Sequence, residues 1–237
     1  DVYKRQLFAW TYNSDNVSML PAMINTLFMT VLALLLSVPF GVGAAIYLVE
    51  YAKKGNKLVG LIRVTAETLS GIPSIIYGLF GMLFFVTALK WGYSMMAGAA
   101  TLAIMVLPVI MRTTEEALLC VPDSFREGSF GLGAGKLRTI FKIVLPSAIP
   151  GILSGIILAI GRIVGETAAL IYTSGTVANL AGFFDSGRTL AIHMYSLSRE
   201  GMHTNEAYAT AVVLLIVVLI INGVSSLIAK KFEAPKQ

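Results

Sequence analysis

Charged side chains are scarce in this chain of 237 residues. Asp, Glu, Lys and Arg make up 13% of it, whereas hydrophobic residues make up 56%, and the mean hydropathy is +0.78. A soluble domain of this length would need about twice that share of charge to cover its surface. The composition therefore excludes an ordinary soluble domain and indicates a polytopic membrane protein.

Cysteine and histidine are nearly absent. Cys120 is the single cysteine, which excludes an internal disulfide framework and a cysteine metal cluster. His193 and His203 are ten residues apart with no third ligand nearby, a spacing that is not typical of a metal site. We predict that both are loop residues, and no Ser/His/Asp or Cys/His pattern indicates a nucleophilic enzyme.

A nucleotide-binding loop of the chain's own is also missing. The glycine-rich segment 131–136 ends in Lys136, but Phe130 occupies the position where a phosphate-cradling loop needs glycine. Leu137 follows the lysine where serine or threonine is required. We therefore expect no bound cofactor, and any ATP must be bound by a partner.

Five apolar segments are long enough to cross a membrane core of about 30 Å. We predict spans at residues 23–48, 72–89, 93–111, 149–173 and 207–229, and a short interfacial stretch at 58–69. The fourth span contains two pairs of glycines spaced four apart, Gly151 with Gly155 and Gly161 with Gly165. Such spacing favours close helix packing.

The positive charge of the chain lies beside these spans. The formal net charge is +5, which could suggest nucleic acid, but topology explains the basic residues better. If the loop before the fourth span is cytoplasmic, twelve Lys and Arg lie inside, five lie outside, and Arg162 lies within a span. The excess predicts a cytoplasmic loop, a cytoplasmic C-terminus and no nucleic-acid partner.

The segment 127–146 is the longest stretch that cannot sit in lipid, because it holds one acidic and three basic residues. Its pattern predicts two short helices. Ser124 and Glu127 have the spacing of a capping box at the start of the first helix. Gly133 lies in the glycine-rich turn, where backbone freedom is needed, and we predict that Pro146 ends the second helix.

This segment resembles the EAA signature of importer permeases driven by ATP-binding cassettes. The departure is Gly128-Ser129, where the pattern has two alanines. The resemblance implies that residues 112–147 form a cytoplasmic loop whose coupling helix docks into a cleft on an ATPase subunit. The residues that carry this expectation are Glu127, Gly128, Ser129, Gly133, Ile143, Leu145 and Pro146.

Other stretches narrow the resemblance. Residues 25–50, 67–81 and 161–170 are similar to PstA-type permease subunits of phosphate-specific importers, and the likeness runs from about 21 to 228. It implies an all-α polytopic protein with the MetI-like core of type I importer permeases. Five of its transmembrane helices are present, and we expect the family's first helix to be missing upstream. It also implies a PstC-like permease, two ATPase subunits and an extracytoplasmic phosphate-binding protein in a bacterial inner membrane.

Arg162 and Glu166 are the only charged residues inside the predicted spans. Four residues apart on one helix, they are predicted to share a face and to pair. Ionisable groups in membrane helices are costly and usually mark a pathway. We predict that both, with the adjacent Thr167, line the translocation path for phosphate. The structural alternative is an ion pair that faces a neighbouring helix.

We expect one membrane domain at 21–229, flanked by an N-terminal segment at 1–20, truncated and on the outer side, and a cytoplasmic tail at 230–237. The first residues of that N-terminal segment need not be native. Two functions of other kinds stay open from the sequence. One is a permease of the same fold for molybdate or sulfate, and the other is an intramembrane enzyme that uses Arg162 and Glu166.

Overall fold

The computed structural model describes residues 9–13, 17–53, 55–201 and 203–232. Within these ranges the regular structure is helical and contains no strand, which confirms the predicted all-α class. The helices are α1 Leu20–Ile46, α2 Lys57–Ser70, α3 Ser74–Gly81, α4 Met95–Leu119, α5 Asp123–Gly131, α6 Lys136–Thr139, α7 Leu145–Val164, α8 Ala168–Ile171, α9 Leu190–Glu200 and α10 Thr204–Phe232. Three π-helical turns, Tyr47–Tyr51, Met82–Ala88 and Ile140–Val144, continue α1, α3 and α6.

Four of the described helical segments are long and apolar enough to cross a membrane: Leu20–Tyr51, Met95–Leu119, Lys136–Val164 and Thr204–Ala229. A fifth span is obtained if α2 and the segment Ser74–Ala88 count as one broken span. The structure therefore has the predicted five spans only if this broken pair is counted as one span. The predicted boundaries differ most for the span at 149–173, because the helix there begins at Lys136, inside the charged segment, and ends at Val164. At 93–111, α4 continues past the apolar run into a charged end that includes Arg112 and Glu115.

Pro146 does not end a helix, so that prediction is wrong. The helix runs without interruption from Lys136 to Val164. A proline inside an α-helix lacks its N–H and clashes with the carbonyl four residues earlier, here that of Lys142. The π-helical turn Ile140–Val144 ends two residues before the proline and widens the backbone there. The strain is absorbed locally and the helix continues.

The chain divides into two compact units. The first comprises Asp1–Leu36, Ile72–Met105 and Ile160–Ile221, and the second comprises Ser37–Gly71, Val106–Ala159 and Asn222–Gln237. The core of the second unit is an apolar cluster from α1, α2, α4 and the Lys136–Val164 helix, with Leu48, Leu118 and Val144 at most 4% exposed. Leu118, Val121 and Val144 belong to the predicted coupling loop, so this cluster packs the loop against α1 and α2.

Residues 174–189 of the first unit form an irregular segment that is fixed by hydrogen bonds. Asn25 of α1 donates to the carbonyls of Asn179 (2.9 Å) and Arg188 (3.2 Å) and accepts from the N–H of Ala181 (3.2 Å). The segment leads into α9, where His193 is 0% exposed. The prediction that His193 is a loop residue is therefore wrong. Nothing in the amino-acid composition indicates that His193 lies on the buried face of a short helix.

The first predicted pair of helix-packing glycines is confirmed. A Cβ on Gly151 would lie 2.6 Å from Cβ of Ala117, and one on Gly155 would lie 2.7 Å from Cβ of Thr113. Both contacts are with α4, so the two helices approach closely along this face. Gly161 and Gly165 have no side chain of another element within reach, and the second pair does not pack in this way.

Candidate functional site

Helix α5 ends in a Schellman motif at the predicted turn. Gly133 has φ +79°, its N–H donates to the carbonyl of Phe130 (2.9 Å), and the N–H of Ala134 donates to that of Ser129 (3.1 Å). This pair of bonds satisfies the last free carbonyls of a helix and requires a left-handed residue, for which glycine has no steric penalty. The prediction that Gly133 lies in the turn between two short helices is confirmed.

The predicted capping box does not form. Pro122 holds the cap position of α5, and no side chain caps the helix start. Ser124 therefore lies inside the first turn instead of preceding it, so its hydroxyl cannot reach the free N–H groups from the cap. Glu127 is exposed, and its carboxylate is available to a partner instead of closing its own helix.

The remaining residues of the predicted signature divide between core and surface. Ser129 is 5% exposed, and its hydroxyl lies 2.8 Å from that of Thr139, which ties α5 to α6. Gly128 and Pro146 are exposed, whereas Ile143 and Leu145 are half-buried on the helix that continues into the membrane. Leu132 at the turn is 91% exposed. An apolar side chain so exposed, on a loop too charged for lipid, indicates a protein-binding surface.

A recess of about 290 Å³ opens beside this turn. Its walls combine the backbone of the Schellman motif with two basic side chains, Arg138 and Lys142, and with Ser129 and Ile143. The loop therefore presents a positive concavity next to the exposed Leu132 and carries Glu127 on α5. These features together form the candidate coupling surface.

Two contacts hold this loop against the π-helical end of α1, and the sequence did not predict them. Arg126 donates from Nη2 (2.8 Å) and Nε (3.0 Å) to Glu50, and to the carbonyls of Leu118 (2.9 Å) and Val121 (2.7 Å). Lys136 lies 4.7 Å from the ring centroid of Tyr51. The side chains of Arg126 and Glu50 are 14% and 9% exposed. Glu50 and Arg126 are 76 positions apart, so no local spacing links them.

A second set of ion pairs lies on the exposed surface of the second unit. Arg63 pairs with the largely buried Glu115, and Arg112 pairs with Glu67 (3.4 Å) and Glu116 (3.3 Å). These residues line a recess of about 300 Å³. Arg112 and Glu116 are four residues apart, a spacing that indicates an ion pair on one face of a helix.

The predicted pairing of Arg162 with Glu166 is wrong. Helix α7 ends at Val164, and residues 165–167 leave the helical conformation before α8 begins. The two side chains therefore do not share a helix face, and no ion pair joins them in the described chain. Arg162 lies in the last turn of α7, where a cation is favourable, and Glu166 Oε1 accepts from the N–H of Ala169 (3.1 Å) at the start of α8.

This helix break borders a cavity of about 620 Å³ within the first unit. Thr167 and Ala168 contribute to its wall, together with Tyr172, Tyr195 and Ser198. Arg162 and Glu166 do not line it, and Arg162 instead lies near the buried Tyr77 of α3. Irregular backbone at membrane depth is tolerated where it is buried in protein or lines a polar cavity. Of the three predicted path residues, the structure brings only Thr167 to this cavity.

Replacing Gly133 with valine is expected to impair coupling while leaving membrane insertion intact. A β-branched residue in the left-handed region costs about 1–3 kcal/mol, and the Schellman bonds would be lost with it. Ligand-stimulated ATP hydrolysis by reconstituted complexes measures the effect. Gly135→Val is the matched control, because Gly135 has φ −73° and nothing within 4 Å of an added Cβ.

In the same assay Gly133→Asn should keep most of the activity, because asparagine tolerates the left-handed conformation. Ligand-stimulated hydrolysis at the parent level in Gly133→Val would show that the turn geometry does not matter for coupling.

Comparison with known proteins gives a consistent result. A family model described as "Binding-protein-dependent transport system inner membrane component" matches residues 37–234. The chain is 36% identical over 233 residues to a "Probable ABC transporter permease protein YqgI" of Bacillus subtilis (strain 168), covering 90% of this chain and 79% of that protein. It is 37% identical over 211 residues to a "Phosphate transport system permease protein PstA 1" of Mycobacterium tuberculosis (strain ATCC 25618 / H37Rv), covering 87% and 68%.

Solved structures resemble the chain at lower identity. One is an inward-facing MetNI methionine ABC transporter, with a TM-score of 0.70, 20% identity and coverage of 91% of this chain and 94% of that one. Another is a bacterial ABC transporter that imports the acidic polysaccharide alginate, with a TM-score of 0.72, 16% identity and coverage of 94% and 82%. At these identities the likeness concerns the fold, and it confirms the predicted importer-permease core.

Proposed function

The chain belongs to the family of inner-membrane components of binding-protein-dependent transport systems, and on this premise we propose that it is a permease subunit of an ATP-driven phosphate importer. The assignment of phosphate as the substrate rests on the 37% identity to phosphate transport permeases over most of the chain. Its relatives are transport permeases, so the chain is a transport subunit and not an enzyme. The alternative of an intramembrane enzyme is thereby removed.

The geometry of the loop supports a role in coupling to an ATPase dimer. Its tip exposes Leu132, its first helix exposes Glu127, and Arg138 and Lys142 line the recess beside the turn. The loop is nevertheless held rigidly, by the Schellman turn and by Arg126 on Glu50. A rigid element with an exposed apolar tip can transmit a displacement of its partner, whereas a flexible hairpin would absorb it.

The charge distribution supports a cytoplasmic loop and C-terminus. Twelve of the Lys and Arg residues then lie inside and five outside, as the positive-inside rule requires. In this orientation residues 174–203 face the outer side, where an extracytoplasmic phosphate-binding protein would deliver its ion. A second permease of the PstC kind would complete the translocation path.

Transport then follows an alternating-access scheme. Closure of the ATP-bound ATPases moves the coupling loops, and the paired permeases open outward to accept phosphate. Hydrolysis of ATP returns them to the inward-open state and releases the ion. In this scheme Arg162, Glu166 and Thr167 act on the ion at the helix break between α7 and α8, and the ATP is bound by the partners alone.

Uptake of labelled ions by cells that lack their own phosphate importer tests the assignment. Cells that carry this chain with a PstC-like permease, the ATPase and the binding protein should take up labelled phosphate, and omission of this chain should abolish the uptake. Sulfate and molybdate in excess should not compete. Uptake of molybdate or sulfate in place of phosphate would contradict the proposed substrate and would favour the same fold with another oxyanion.

A further inference from the structure

Three neighbouring polar side chains in the first unit are buried without a hydrogen-bond partner among the described residues. Arg188 is 4% exposed, Thr189 2% and His193 0%. The atoms concerned are Nε and Nη2 of Arg188, Oγ1 of Thr189 and both ring nitrogens of His193. Buried polar groups are nearly always hydrogen-bonded, because an unmet donor loses its interaction with water and gains nothing. Such a concentration of unmet groups indicates a ligand.

Two of these side chains contact the same aromatic ring, and the third, Thr189, is next to Arg188 in the chain. The guanidinium carbon of Arg188 lies 4.4 Å from the centroid of the Tyr12 ring, and the ring of His193 meets the same tyrosine edge-on with centroids 6.2 Å apart. Thr189 is the residue that precedes α9 and makes no capping bond with its hydroxyl. The N-terminus of an 11-residue helix adds a partial positive charge at this point.

The backbone that carries the cluster is fixed. The N–H of Arg188 donates to Val177 (2.9 Å), its carbonyl accepts from Asn25 (3.2 Å), and the N–H of Leu190 donates to the hydroxyl of Thr26 (2.8 Å). The side chains are thus held by α1 and by the irregular segment before α9. Preorganised donors of this kind bind a ligand at a low cost in conformational entropy.

The cluster has donors for an anion and lacks a counter-charge. A buried guanidinium is costly unless it is paired, and no carboxylate pairs with Arg188 in the described part of the chain. Nε–H and Nη2–H lie on one edge of the guanidinium and point in parallel, a fork that matches two oxygens of one oxyanion. Burial, and after it the charge of Arg188, lowers the pKa of His193 to about 3, so the ring is neutral near neutral pH.

We propose that Arg188, Thr189 and His193 form a buried binding site for a compact inorganic oxyanion that carries a proton, with Tyr12 packed over it. The fork of Arg188 binds two oxygens, the Thr189 hydroxyl donates to a third, and the neutral imidazole accepts from the protonated oxygen. Bound anion neutralises Arg188 and fixes Tyr12. The site differs from the proposed path residues Arg162 and Glu166 and does not rest on the proposed function.

Thermal unfolding of the full-length chain, purified in detergent within the complex in which it is expressed, tests the proposal. The melting temperature is followed in phosphate, sulfate or chloride against gluconate at constant ionic strength and pH 7. A ligand that binds the folded state alone raises the melting temperature with its concentration. Phosphate should raise it by several degrees, sulfate less because it has no proton to donate, and chloride least because it cannot use both arms of the fork.

Arg188→Gln should remove the phosphate-dependent rise, and Arg188→Lys, which keeps the charge without the fork, should lose most of it. Arg199→Gln, at an exposed arginine of the same helix, is the matched control and should respond as the parent does.

If Arg188→Gln does not fold, the anion series on the parent and on Arg188→Lys still decides the matter. Equal melting temperatures of the parent in all four salts would overturn the proposal. The guanidinium of Arg188 would then bond to a protein carboxylate or to water. A rise with chloride alone would overturn the oxyanion assignment. An undiminished rise in Arg188→Gln would show that phosphate binds elsewhere.

Discussion

Replacing Arg126 with glutamine is expected to abolish transport by loosening the coupling loop from the membrane helices. The guanidinium of Arg126 joins Glu50 at the end of α1 to the carbonyls of Leu118 and Val121 after α4. Removing one partner of a buried ion pair costs about 3–5 kcal/mol, because the remaining charge is left without compensation. The carboxylate of Glu50, at 9% exposure, would be that charge.

The effect is measured as phosphate uptake together with the amount of ATPase that co-purifies with the chain. Arg112→Gln is the matched control, since Arg112 also pairs with carboxylate side chains but is 57% exposed. Ion pairs of a fully exposed side chain contribute little to stability, so this variant should transport at nearly the parent rate. Equal effects of the two variants would show that burial of the Arg126–Glu50 pair is irrelevant.

A double variant tests whether Glu50 and Arg126 act as an ion pair or independently of each other. If Glu50→Gln and Arg126→Gln act through the same ion pair, the double variant should be less impaired than the sum of the single ones predicts. Arg126→Lys should fall between parent and Arg126→Gln. Lysine keeps the charge for Glu50 but cannot also bond both carbonyls with a planar fork.

The position of the turn in the predicted loop came from a local signal, whereas the predicted end of the loop at Pro146 was wrong. Charge excluded the segment 127–146 from lipid, and Gly133 lay where two helices had to part. A left-handed turn of this kind is encoded by the glycine itself, because few other residues adopt it without strain. The position of the turn could therefore be predicted from the glycine, whereas the hydrogen bonds of the turn are seen only in the structure.

The errors arose where a local pattern competed with a neighbouring residue. Ser124 and Glu127 have capping-box spacing, but Pro122 starts the helix earlier and places the serine inside it. Pro146 has the effect of a helix breaker only in regular α-helix, and the π-helical turn before it removes the clash. Both cases depend on backbone geometry one turn away, which residue patterns do not report.

Long-range pairs were beyond the reach of the sequence. Glu50 and Arg126 each looked like an ordinary charge at a membrane edge, and Arg188 and His193 looked like parts of an outer loop. What brings each set together is the packing of α1 against distant segments, through Arg126 in one unit and through Asn25 and Thr26 in the other. A periodicity argument treats one helix at a time and cannot show such contacts.

Replacing Arg162 with glutamine is expected to abolish phosphate uptake while the complex still assembles. Its structural role at the end of α7 is favourable by about 0.3–1 kcal/mol, which is too little to prevent folding. A bidentate, charge-assisted contact with an oxyanion contributes about 1.5–3 kcal/mol per hydrogen bond. Because about 1.4 kcal/mol corresponds to a factor of ten, loss of both bonds of the fork should lower uptake by at least about a hundredfold.

Glu166→Gln should act on selectivity more than on structure. The bond from the N–H of Ala169 to Oε1 of Glu166 (3.1 Å) can be kept by the glutamine oxygen, so the start of α8 should persist. The variant removes only the negative charge. An ionised Glu166 repels sulfate, whereas phosphate, which keeps at least one P–OH near neutral pH, can donate a hydrogen bond to it.

Uptake of labelled phosphate in the presence of excess sulfate distinguishes these roles. Glu166→Gln should take up phosphate more slowly, and sulfate that is delivered to the permease should then compete. Arg162→Lys should restore a small part of the uptake that Arg162→Gln loses, since it returns the charge without the fork. Parent-level uptake by both Arg162→Gln and Glu166→Gln would mean that the two residues only terminate and start helices at the break. Loss of assembly in Arg162→Gln would likewise assign that residue a structural role, because its helix-end contribution would then exceed the magnitude expected for a cation in the last turn.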